Sequence, residues 1–382
     1  MAVQRFRIKR LKDQLIKKGL AGAVCFDPVN IRYATGTRNM NVICGHMPMR
    51  CAWIPANHEK KSILFDFGLQ CAHLANGAGE FVAEVRSHLY WYFFAAGSRV
   101  DEQAEKFAKE IFDLMKRDVP ELGNKIAFDR LDPPGPDFVG KLGIEIVDGQ
   151  AVFESARCVK SDDEIRLMQD AVRACNEALH LMQQSMRDGI TEQQLWSVLH
   201  RENIASGGEW IETRLLVSGQ RTNPWYQECG ESIVKDGELV AFDTDMVGRH
   251  GFTVDFSRTW LCGSGDASDE QKLLYTMAYC QVQHNIRLVK AGVSFKTIAE
   301  NAFVVDKDFV EQRYTCIAHG VGLVDEYPIL YAVEDWEECG YDDVLVENMV
   351  LAFESYIGYK NGTQGVKLED QVRVTKDGFE LM

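Results

Sequence analysis

Acidic residues interrupt apolar, strand-like runs in the second half of this chain, and this pattern constrains its fold more than any other feature. Short apolar runs are typical of strands buried in a sheet. Several ionised carboxylates in one core would each cost several kcal/mol unless cations compensate them. The acids and their runs are Asp243 and Asp245 in 240–245, Asp255 in 253–256, Glu354 in 350–356, and Glu369 in 366–372. These strands are therefore predicted to converge on positive charge, and a period of two places Asp243 and Asp245 on one face.

A bound metal ion is the natural source of that charge. The basic residues in or beside these runs are Lys367, Arg249 and Arg258, and three cations cannot neutralise the whole set. His319 offers one imidazole, and one histidine among carboxylates suits Mn, Fe, Co or Zn better than Ca. Each acid alone is more often a turn or cap residue, so the prediction of one or two ions rests on their convergence.

The order of elements predicts two domains. The 382-residue length exceeds one typical domain. A helix at 3–19 and short strands at 21–26, 51–54, 62–67 and 144–147 suit a small α/β domain. Capping boxes at Ser161, Thr191 and Ser268 then open three helices, which alternate with further strand-like runs. Helices grouped apart from antiparallel-looking strands predict an α+β catalytic domain, with the domains at 1–154 and 155–382.

Composition limits the classes of binding partner and indicates the cellular compartment. With 57 acidic and 42 basic residues the formal net charge is −15, which argues against binding to nucleic acid or an anionic membrane. No run of 18 apolar residues exists that could span a bilayer, and the N-terminus lacks the apolar segment of a secretory signal. Eleven scattered cysteines predict reduced thiols rather than a disulfide framework. We therefore expect a cytoplasmic protein.

The order Asp, Asp, His, Glu, Glu on these strands resembles the pita-bread superfamily of methionine aminopeptidases, aminopeptidase P, prolidase and creatinase. The resemblance covers nearly the whole chain, since residues 10–36 look like the start of a creatinase-type N-terminal domain. It implies a creatinase-like α/β domain followed by a pita-bread catalytic domain, and a homodimer. The metal ligands that it implies are Asp243, Asp255, His319, Glu354 and Glu369.

Two departures argue against peptide hydrolysis. Peptidases of this superfamily carry a second histidine in a pattern like HGxGxxxHE, whereas the segment HGVGLVDEYP has Asp325 where an imidazole is expected. They also carry a histidine in a pattern like SGxNxxxPH, whereas the present segment ends in Trp225 and Tyr226. Asp245 replaces the glycine that is usual two residues after the first metal aspartate.

The same departures resemble one branch, the DddP-type dimethylsulfoniopropionate lyases. Those enzymes cleave a zwitterionic sulfonium acid to acrylate and dimethyl sulfide, and are described as using iron. In them the additional aspartate is also a ligand, which adds Asp245 to the implied set. The matching segments are GGEWIETRLLVSGQRTNPWYQECG, FDTD, HGVGLVDEYP, FES and KLEDQV.

The chemistry of such a lyase assigns roles to the remaining residues. β-Elimination needs a base beside the substrate carboxylate and a metal that withdraws charge from it, and Asp325 is the candidate base. The sulfonium has no hydrogen-bond donors, so aromatic faces should hold it. The candidates are Trp225, Tyr226, Tyr314 and the cluster 90–92, for which core packing is the alternative. Tyr314 matches a tyrosine assigned to substrate contact, so its hydroxyl is expected to bind the carboxylate.

The identity of the substrate stays open, because Ile43 aligns with a tryptophan that lines the pocket of the lyases. Losing an aromatic wall would weaken cation binding by about 1–2 kcal/mol. A lyase acting on another β-substituted propionate is therefore one alternative. A second is a metallopeptidase of the Xaa-Pro dipeptidase or aminopeptidase P kind, and a third is a metal-free binding module with the pita-bread fold.

Overall fold

A computed structural model describes residues 2–68 and 80–382 of the chain. The chain divides into two compact units, Met1–Arg157 and Cys158–Met382. Each unit has its own hydrophobic core. Among the described residues, no helix is both long enough and apolar enough to cross a membrane.

The N-terminal unit is an α/β domain built on one mixed sheet. Its helices are α1 (Ala2–Lys17), α2 (Pro28–Thr35), α3 (Asn41–His46), α4 (Phe93–Ala96), α5 (Val100–Asp118), α6 (Gly135–Lys141) and α7 (Gln150–Arg157). Its strands are β1 (Gly22–Cys25), β2 (Cys51–Pro55), β3 (Ser62–Asp66), β4 (Val82–Ser87), β5 (Lys125–Phe128) and β6 (Glu145–Asp148). The sheet order is β4-β3-β2-β1-β5-β6.

The core of this unit lies between the sheet and helix α5. The helix buries Ala104, Phe107, Ile111 and Leu114, whose spacing of three and four residues forms one apolar face. The strands contribute buried residues such as Trp53 to the same cluster. Burial of this face, rather than helix propensity alone, stabilises the helix.

The C-terminal unit combines long helices with three small sheets. Its helices are α8 (Asp162–Ser185), α9 (Glu192–Ala205), α10 (Asp269–Ile286), α11 (Phe295–Asn301) and α12 (Trp336–Cys339). Its first strands are β7 (Trp210–Ile211), β8 (Leu216–Ser218), β9 (Leu239–Asp243), β10 (Met246–Val247), β11 (Thr253–Val254) and β12 (Ser257–Leu261). The others are β13 (Ala318–Val321), β14 (Asp325–Leu330), β15 (Val350–Gly358), β16 (Gly365–Val374) and β17 (Phe379–Leu381).

An antiparallel five-stranded sheet in the order β14-β13-β15-β16-β17 carries the second half of the predicted ligands. Every residue of β15 is buried, which explains why its sequence is almost continuously apolar. Two three-stranded sheets, in the orders β12-β9-β8 and β11-β10-β7, flank the first half: Asp243 ends β9, and Asp245 and Asp255 lie between strands of the two sheets. The acids of the apolar runs therefore belong to neighbouring sheets of one unit.

The three predicted capping boxes are confirmed. Ser161 caps α8, Thr191 caps α9 and Ser268 caps α10. In each box the hydroxyl accepts a hydrogen bond from the third backbone N–H of the helix, and that residue's side chain accepts one from the cap backbone. Both orphan donors of the helix end are thereby satisfied.

The runs 240–245 and 253–256 lie side by side, and the strands in this region are short and interrupted. Strand β9 pairs antiparallel with β12 and places Asp243 opposite Ser257. Both runs are interrupted near Asp245 and Asp255, because the side-chain Oγ1 of Thr244 takes part in hydrogen bonds that backbone groups would otherwise make between the strands. This oxygen donates to the Val254 carbonyl at 2.8 Å and accepts from the Phe256 N–H at 2.9 Å.

Candidate metal centre

Four buried carboxylates approach one another inside the C-terminal unit. Asp243 ends β9, Asp255 lies in the interruption between β11 and β12, and Glu354 lies directly opposite Glu369 in the β15–β16 pair. The relative exposure of each residue is 3% or less. Ligand atoms of His319, Glu354 and Glu369 lie within 4.8 Å of one another, which is the spacing that ligands of one ion require. Those of Asp243, Asp245 and Asp255 form a second such group.

His319 directs one nitrogen at three of these acids. Its Nε2 lies 3.1 Å from Glu354 Oε1, 3.3 Å from Asp255 Oδ2 and 3.7 Å from Glu369 Oε1. Its Nδ1 lies 3.1 Å from the Gly320 carbonyl, and a carbonyl can only accept a hydrogen bond. A neutral ring therefore points the lone pair of Nε2 at the carboxylates. That contact is favourable only with a cation between them or with a protonated ring.

Asp245 joins the cluster by a route that strand periodicity did not predict. Strand β9 ends at Asp243, and Asp245 adopts a left-handed conformation with φ 35°. The expectation that a period of two places both residues on one strand face is therefore wrong. Its Oδ2 accepts a hydrogen bond from Thr213 Oγ1 at 2.6 Å, and the carboxylate forms a ligand-spaced group with Asp243 and Asp255. The turn brings the two aspartates together.

Three carboxylate oxygens of the cluster support the metal-site prediction directly. Asp243 Oδ1, Asp255 Oδ1 and Glu369 Oε1 are buried and have no hydrogen-bond partner among the described residues. A buried anionic oxygen without a partner is costly. The donor set of one imidazole and several carboxylates suits a transition metal ion, so the residues fit the group that the sequence predicts.

Lys367 supplies part of the compensating charge. Its Nζ lies 2.7 Å from Glu354 Oε2, 3.1 Å from Asp243 Oδ2 and 3.2 Å from Glu369 Oε2. It also donates to Ser257 Oγ at 2.6 Å. Arg258 is directed elsewhere, since it pairs with Asp370 at 2.9 Å. One ammonium among the acids leaves the cluster with excess negative charge.

The pKa values reflect this excess in the metal-free protein. Burial and neighbouring carboxylates raise the pKa values of Asp245, Asp255 and Glu369 well above their ordinary range. Burial also acts to raise the pKa of Glu354, but Lys367 and His319 overcome it and hold this pKa at about 2. The pKa values of His319 and Lys367 are raised despite burial, because carboxylates surround both groups.

Asp325 lies at the exposed edge of the cluster, where one of its oxygens is within 4.8 Å of ligand atoms of Asp255 and His319. It begins β14, its Oδ1 is 3.9 Å from His319 Nδ1, and its side chain is half exposed. Partial burial and the nearby Glu354 and Asp243 carboxylates raise the pKa of Asp325 to about 6, although His319 opposes this. The next residue, Glu326, is buried and forms an ion pair with Lys160. Of the two adjacent acids, Asp325 is the one that a substrate could reach.

The predicted substrate aromatics lie next to the same cluster. Lys367 Nζ is 4.4 Å from the ring centroid of Tyr314 and 5.8 Å from that of Trp225. Trp225 is buried and stacks on Tyr356, with 6.1 Å between the ring centroids. Tyr226 stacks on Tyr314 at 5.5 Å and is 55% exposed. Tyr226 therefore offers the most accessible aromatic surface of the three.

The aromatic cluster at 90–92 belongs to the N-terminal unit. Trp91 is buried in the core of that unit and packs on Phe107, with 4.6 Å between the ring centroids. Packing explains this tryptophan without a ligand. Tyr90 and Tyr92 are half-buried neighbours, with ring centroids 5.8 Å apart. Ile43 lies on α3 of the same unit and is 40% exposed.

Two hydroxyl residues of the cluster were missed from the sequence. Ser257 donates to Glu369 Oε2 at 2.7 Å, and Thr213 donates to Asp245 Oδ2 at 2.6 Å. The position of Ser257, two residues after Asp255, was a usable signal because the run predicts a strand with alternating faces. Thr213 gives no such signal, since its contact depends on the turn at Asp245.

Two family models match the chain. The creatinase/prolidase N-terminal domain matches residues 7–159, and metallopeptidase family M24 matches residues 166–376. The dimethylsulfoniopropionate lyase DddP of Roseobacter denitrificans is 38% identical over 99% of this chain and 85% of that protein. The lyase of the same name from Roseovarius nubinhibens is 36% identical over the same shares.

Solved structures give the same fold at lower identity. An Xaa-Pro dipeptidase from Bacillus anthracis and an X-Pro aminopeptidase from Thermotoga maritima each superpose with a TM-score of 0.77 and 20% identity. Each comparison covers 98% of this chain and 96% of the other. At this level of identity the likeness concerns the fold alone.

Proposed function

The chain belongs to metallopeptidase family M24 and carries a creatinase/prolidase N-terminal domain, and on this premise we propose that it is a metal-dependent carbon–sulfur lyase. Its substrate is dimethylsulfoniopropionate, which it cleaves by β-elimination to acrylate and dimethyl sulfide. The predicted fold, a creatinase-like α/β domain followed by a pita-bread catalytic domain, is confirmed by the family matches and structural neighbours. The identity of 36–38% to two proteins named as this lyase, over almost the whole chain, supports the reaction.

One observation in the structure carries the proposal. Asp325 places a half-exposed carboxylate 3.9 Å from His319, beside the buried acids. The peptidases that the sequence resembles need a second imidazole here. In the described parts of the chain, His319 is the one imidazole in the ligand-spaced groups. A carboxylate at this position can remove a proton from carbon, whereas the histidine-dependent steps of peptide cleavage have no group to perform them.

The ligands that we propose for the metal are Asp243, Asp245, Asp255, His319, Glu354 and Glu369. A bound ion supplies a Lewis acid that withdraws charge from the substrate carboxylate. We propose iron, because the lyases that the sequence resembles are described as using it; Mn, Co and Zn also suit the donors, and the carboxylates suffice for one or two ions.

The chain's own residues perform the elimination. Asp325 accepts a proton from the substrate carbon next to the carboxylate. The electron pair of that C–H bond forms the C=C bond of acrylate, and the C–S bond breaks with its pair on sulfur. Neutral dimethyl sulfide leaves, and the half-exposed Asp325 returns its proton to water. We assign the Tyr314 hydroxyl to binding the substrate carboxylate; the position of its ring, with the centroid 4.4 Å from Lys367 Nζ, supports this.

Aromatic faces hold the sulfonium. The sulfonium group has no hydrogen-bond donor, so cation–π attraction to aromatic ring faces is the main interaction that can recognise it. Tyr226 provides the exposed face and stacks on Tyr314, and the rings of Tyr314 and Trp225 lie near the Lys367 ammonium. The acidic cluster adds long-range attraction for a cationic group.

We further propose that the protein is a cytoplasmic homodimer. The dimer is supported by the resemblance, since proteins of this fold are commonly dimers. The compartment is supported by the cysteines, because the ten in the described ranges are free thiols.

The deciding experiment is headspace detection of dimethyl sulfide from the iron-loaded protein, with acrylate measured in the same vial. Equal amounts of both products from loaded protein, and none from chelated protein, are expected. The main competing function is an Xaa-Pro metallopeptidase, which is also compatible with the family assignment. Hydrolysis of an Xaa-Pro dipeptide without acrylate release would establish that function. Absence of a bound transition metal by elemental analysis would instead favour a binding module.

A further inference from the structure

Glu192 is a fully buried carboxylate outside the metal cluster. It lies in the first turn of α9, directly after the cap Thr191, and its relative exposure is 0%. Its Oε1 accepts hydrogen bonds from the Ser218 N–H at 2.8 Å and the Ser218 hydroxyl at 3.1 Å. Its Oε2 accepts from the Gly230 N–H at 3.0 Å. An acid at a helix N-terminus is favoured by the helix dipole, but these three bonds lead away from the helix.

The bonds of Glu192 close a loop. Ser218 ends β8 and directly precedes the segment 219–229, and Gly230 directly follows that segment. One carboxylate therefore holds both ends of this segment. Arg221, inside the segment, donates from Nε to Oε1 at 3.2 Å and is the cation paired with this acid. The backbone of the same turn adds a bond from Gln193 N–H to the Gly230 carbonyl at 3.1 Å.

The loop carries two of the aromatic residues of the site. Trp225 and Tyr226 lie in its middle, where Tyr226 adopts a left-handed backbone conformation with φ 67°. A bulky residue in this region is strained and persists only where the surroundings hold it. The Tyr226 side chain has one hydrogen bond, at 3.3 Å to Thr315, and is 55% exposed. Its position therefore depends on how the loop is anchored as well as on its stacking against Tyr314.

A second anchor fixes the first half of the loop from the opposite side. The Tyr356 hydroxyl donates to the Thr222 carbonyl at 2.7 Å, and Asn223 Nδ2 donates to the Tyr359 carbonyl at 2.9 Å. Among the described residues, β15 makes no comparable hydrogen bond to the part of the loop after Tyr226. After Tyr226 the chain is held by Glu192, through Gly230, and by the Cys229 N–H, which donates to the Arg214 carbonyl at 2.8 Å.

We propose that Glu192 is a positioning residue for substrate binding, which holds the segment 219–229 so that Tyr226 presents its ring face to the cationic group of the substrate. This inference rests on the proposed function for its substrate, but not for the anchoring of the loop. Glu192 touches neither substrate nor metal ligands. Its loss should therefore weaken binding of the sulfonium while the chemical step is preserved.

The test is Glu192→Gln, which keeps the size of the side chain but replaces one accepting oxygen by an NH₂ group and removes the charge paired with Arg221. Loss of a hydrogen bond to a charged group should raise hydrogen exchange in 218–230 by about tenfold or more. KM for dimethylsulfoniopropionate should rise by about tenfold, with kcat within about twofold of the parent. Glu202→Gln is the matched control, because Glu202 lies on the same helix and pairs with its neighbour Arg201.

The outcomes separate the two proposals. Unchanged exchange in 218–230 overturns the anchoring role, and a fall in kcat at constant KM overturns the role in binding. A parent protein that releases no dimethyl sulfide overturns the proposed function, while the exchange result still decides the anchoring. If Glu192→Gln does not fold, Ser218→Ala removes one of the same hydrogen bonds, and a smaller change in the same direction is expected.

Discussion

Lys367 and Glu354 form a buried ion pair, with 2.7 Å between Nζ and Oε2. The same ammonium contacts one oxygen of Asp243 and one oxygen of Glu369. The other oxygens of Asp243 and Glu369 are buried without a hydrogen-bond partner among the described residues. In Asp243 and in Glu369, one carboxylate oxygen therefore contacts Lys367, and the other is free to bind a cation.

Replacing Lys367 by methionine should strongly destabilise the metal-free protein. The change keeps the length of the side chain but leaves three buried carboxylates without their shared cation. Breaking a buried charge pair from one side costs about 3–5 kcal/mol. Denaturant unfolding after chelation measures it. The control is Arg166→Met, whose exposed pair with Asp163 should contribute at most about 1 kcal/mol. Equal stability of the two variants would contradict the role of Lys367.

The sequence predicted those buried acids of the cluster that sit inside regular strands. Glu354 and Glu369 are acids in apolar runs, and the pairing of β15 with β16 places them opposite each other. An acid in such a run stands out because its burial requires compensation. His319 lies on β13, the other neighbour of β15, so sheet pairing accounts for its approach.

The features that depend on irregular backbone could not be predicted from periodicity. Asp245 reaches the cluster because of its left-handed conformation and the insertion of Thr244 into the ladder. Glu192 looks in the sequence like an ordinary acid in the first turn of a helix, and its contacts with Ser218 and Gly230 arise from tertiary structure. Local patterns carry no information about such contacts.

Replacing Tyr226 by leucine should weaken substrate binding without stopping the reaction. The leucine keeps an apolar surface but removes the ring face that attracts a sulfonium. A cation–π contact of about 1–2 kcal/mol corresponds to an increase in KM of about 5–30-fold, and Tyr226→Phe should retain most of the affinity. Steady-state kinetics of dimethyl sulfide release test this. Tyr279→Leu, at a tyrosine of α10 that is 53% exposed, is the control. An unchanged KM would remove Tyr226 from the binding site.

Replacing Asp325 by asparagine should reduce kcat by about 10²–10⁴-fold, because the amide cannot accept the substrate proton. Metal content should stay largely unchanged, because Asp325 is the half-exposed member of its ligand-spaced group and is not among the six proposed ligands. In the parent enzyme the rate should rise with pH as Asp325 ionises. Its pKa is about 6 without metal, and a nearby cation lowers it, so the acid limb is expected at or below pH 6.

The matched control for this residue is Asp308→Asn, which makes the same chemical change at an exposed aspartate. Acrylate release and elemental analysis of the same samples separate loss of the base from loss of metal. Full activity in Asp325→Asn would assign proton removal to another group. Activity lost together with the metal would instead make Asp325 a ligand.

Metal binding near neutral pH should release protons. In the metal-free fold, the pKa values of Asp245, Asp255 and Glu369 are raised, so these groups keep protons that the unfolded chain gives up above about pH 4. The folded state then binds more protons than the unfolded state, and the stability of the chelated protein falls as pH rises above about 4. Glu354 acts oppositely: its lowered pKa adds stability that is lost only as pH falls towards about 2.

A bound cation removes the reason for this proton uptake, because it favours the ionised carboxylates. Titration calorimetry with Mn²⁺ at pH 7, in two buffers of different ionisation enthalpy, counts the released protons. Glu369→Gln has one titrating group fewer and should release fewer protons than the parent. Urea unfolding of chelated protein should show lower stability at pH 8 than at pH 5, and added Mn²⁺ should remove the difference. If metal binding released no protons, the acids would already be ionised in the metal-free protein, and the charges of Lys367 and His319 would be sufficient to compensate theirs.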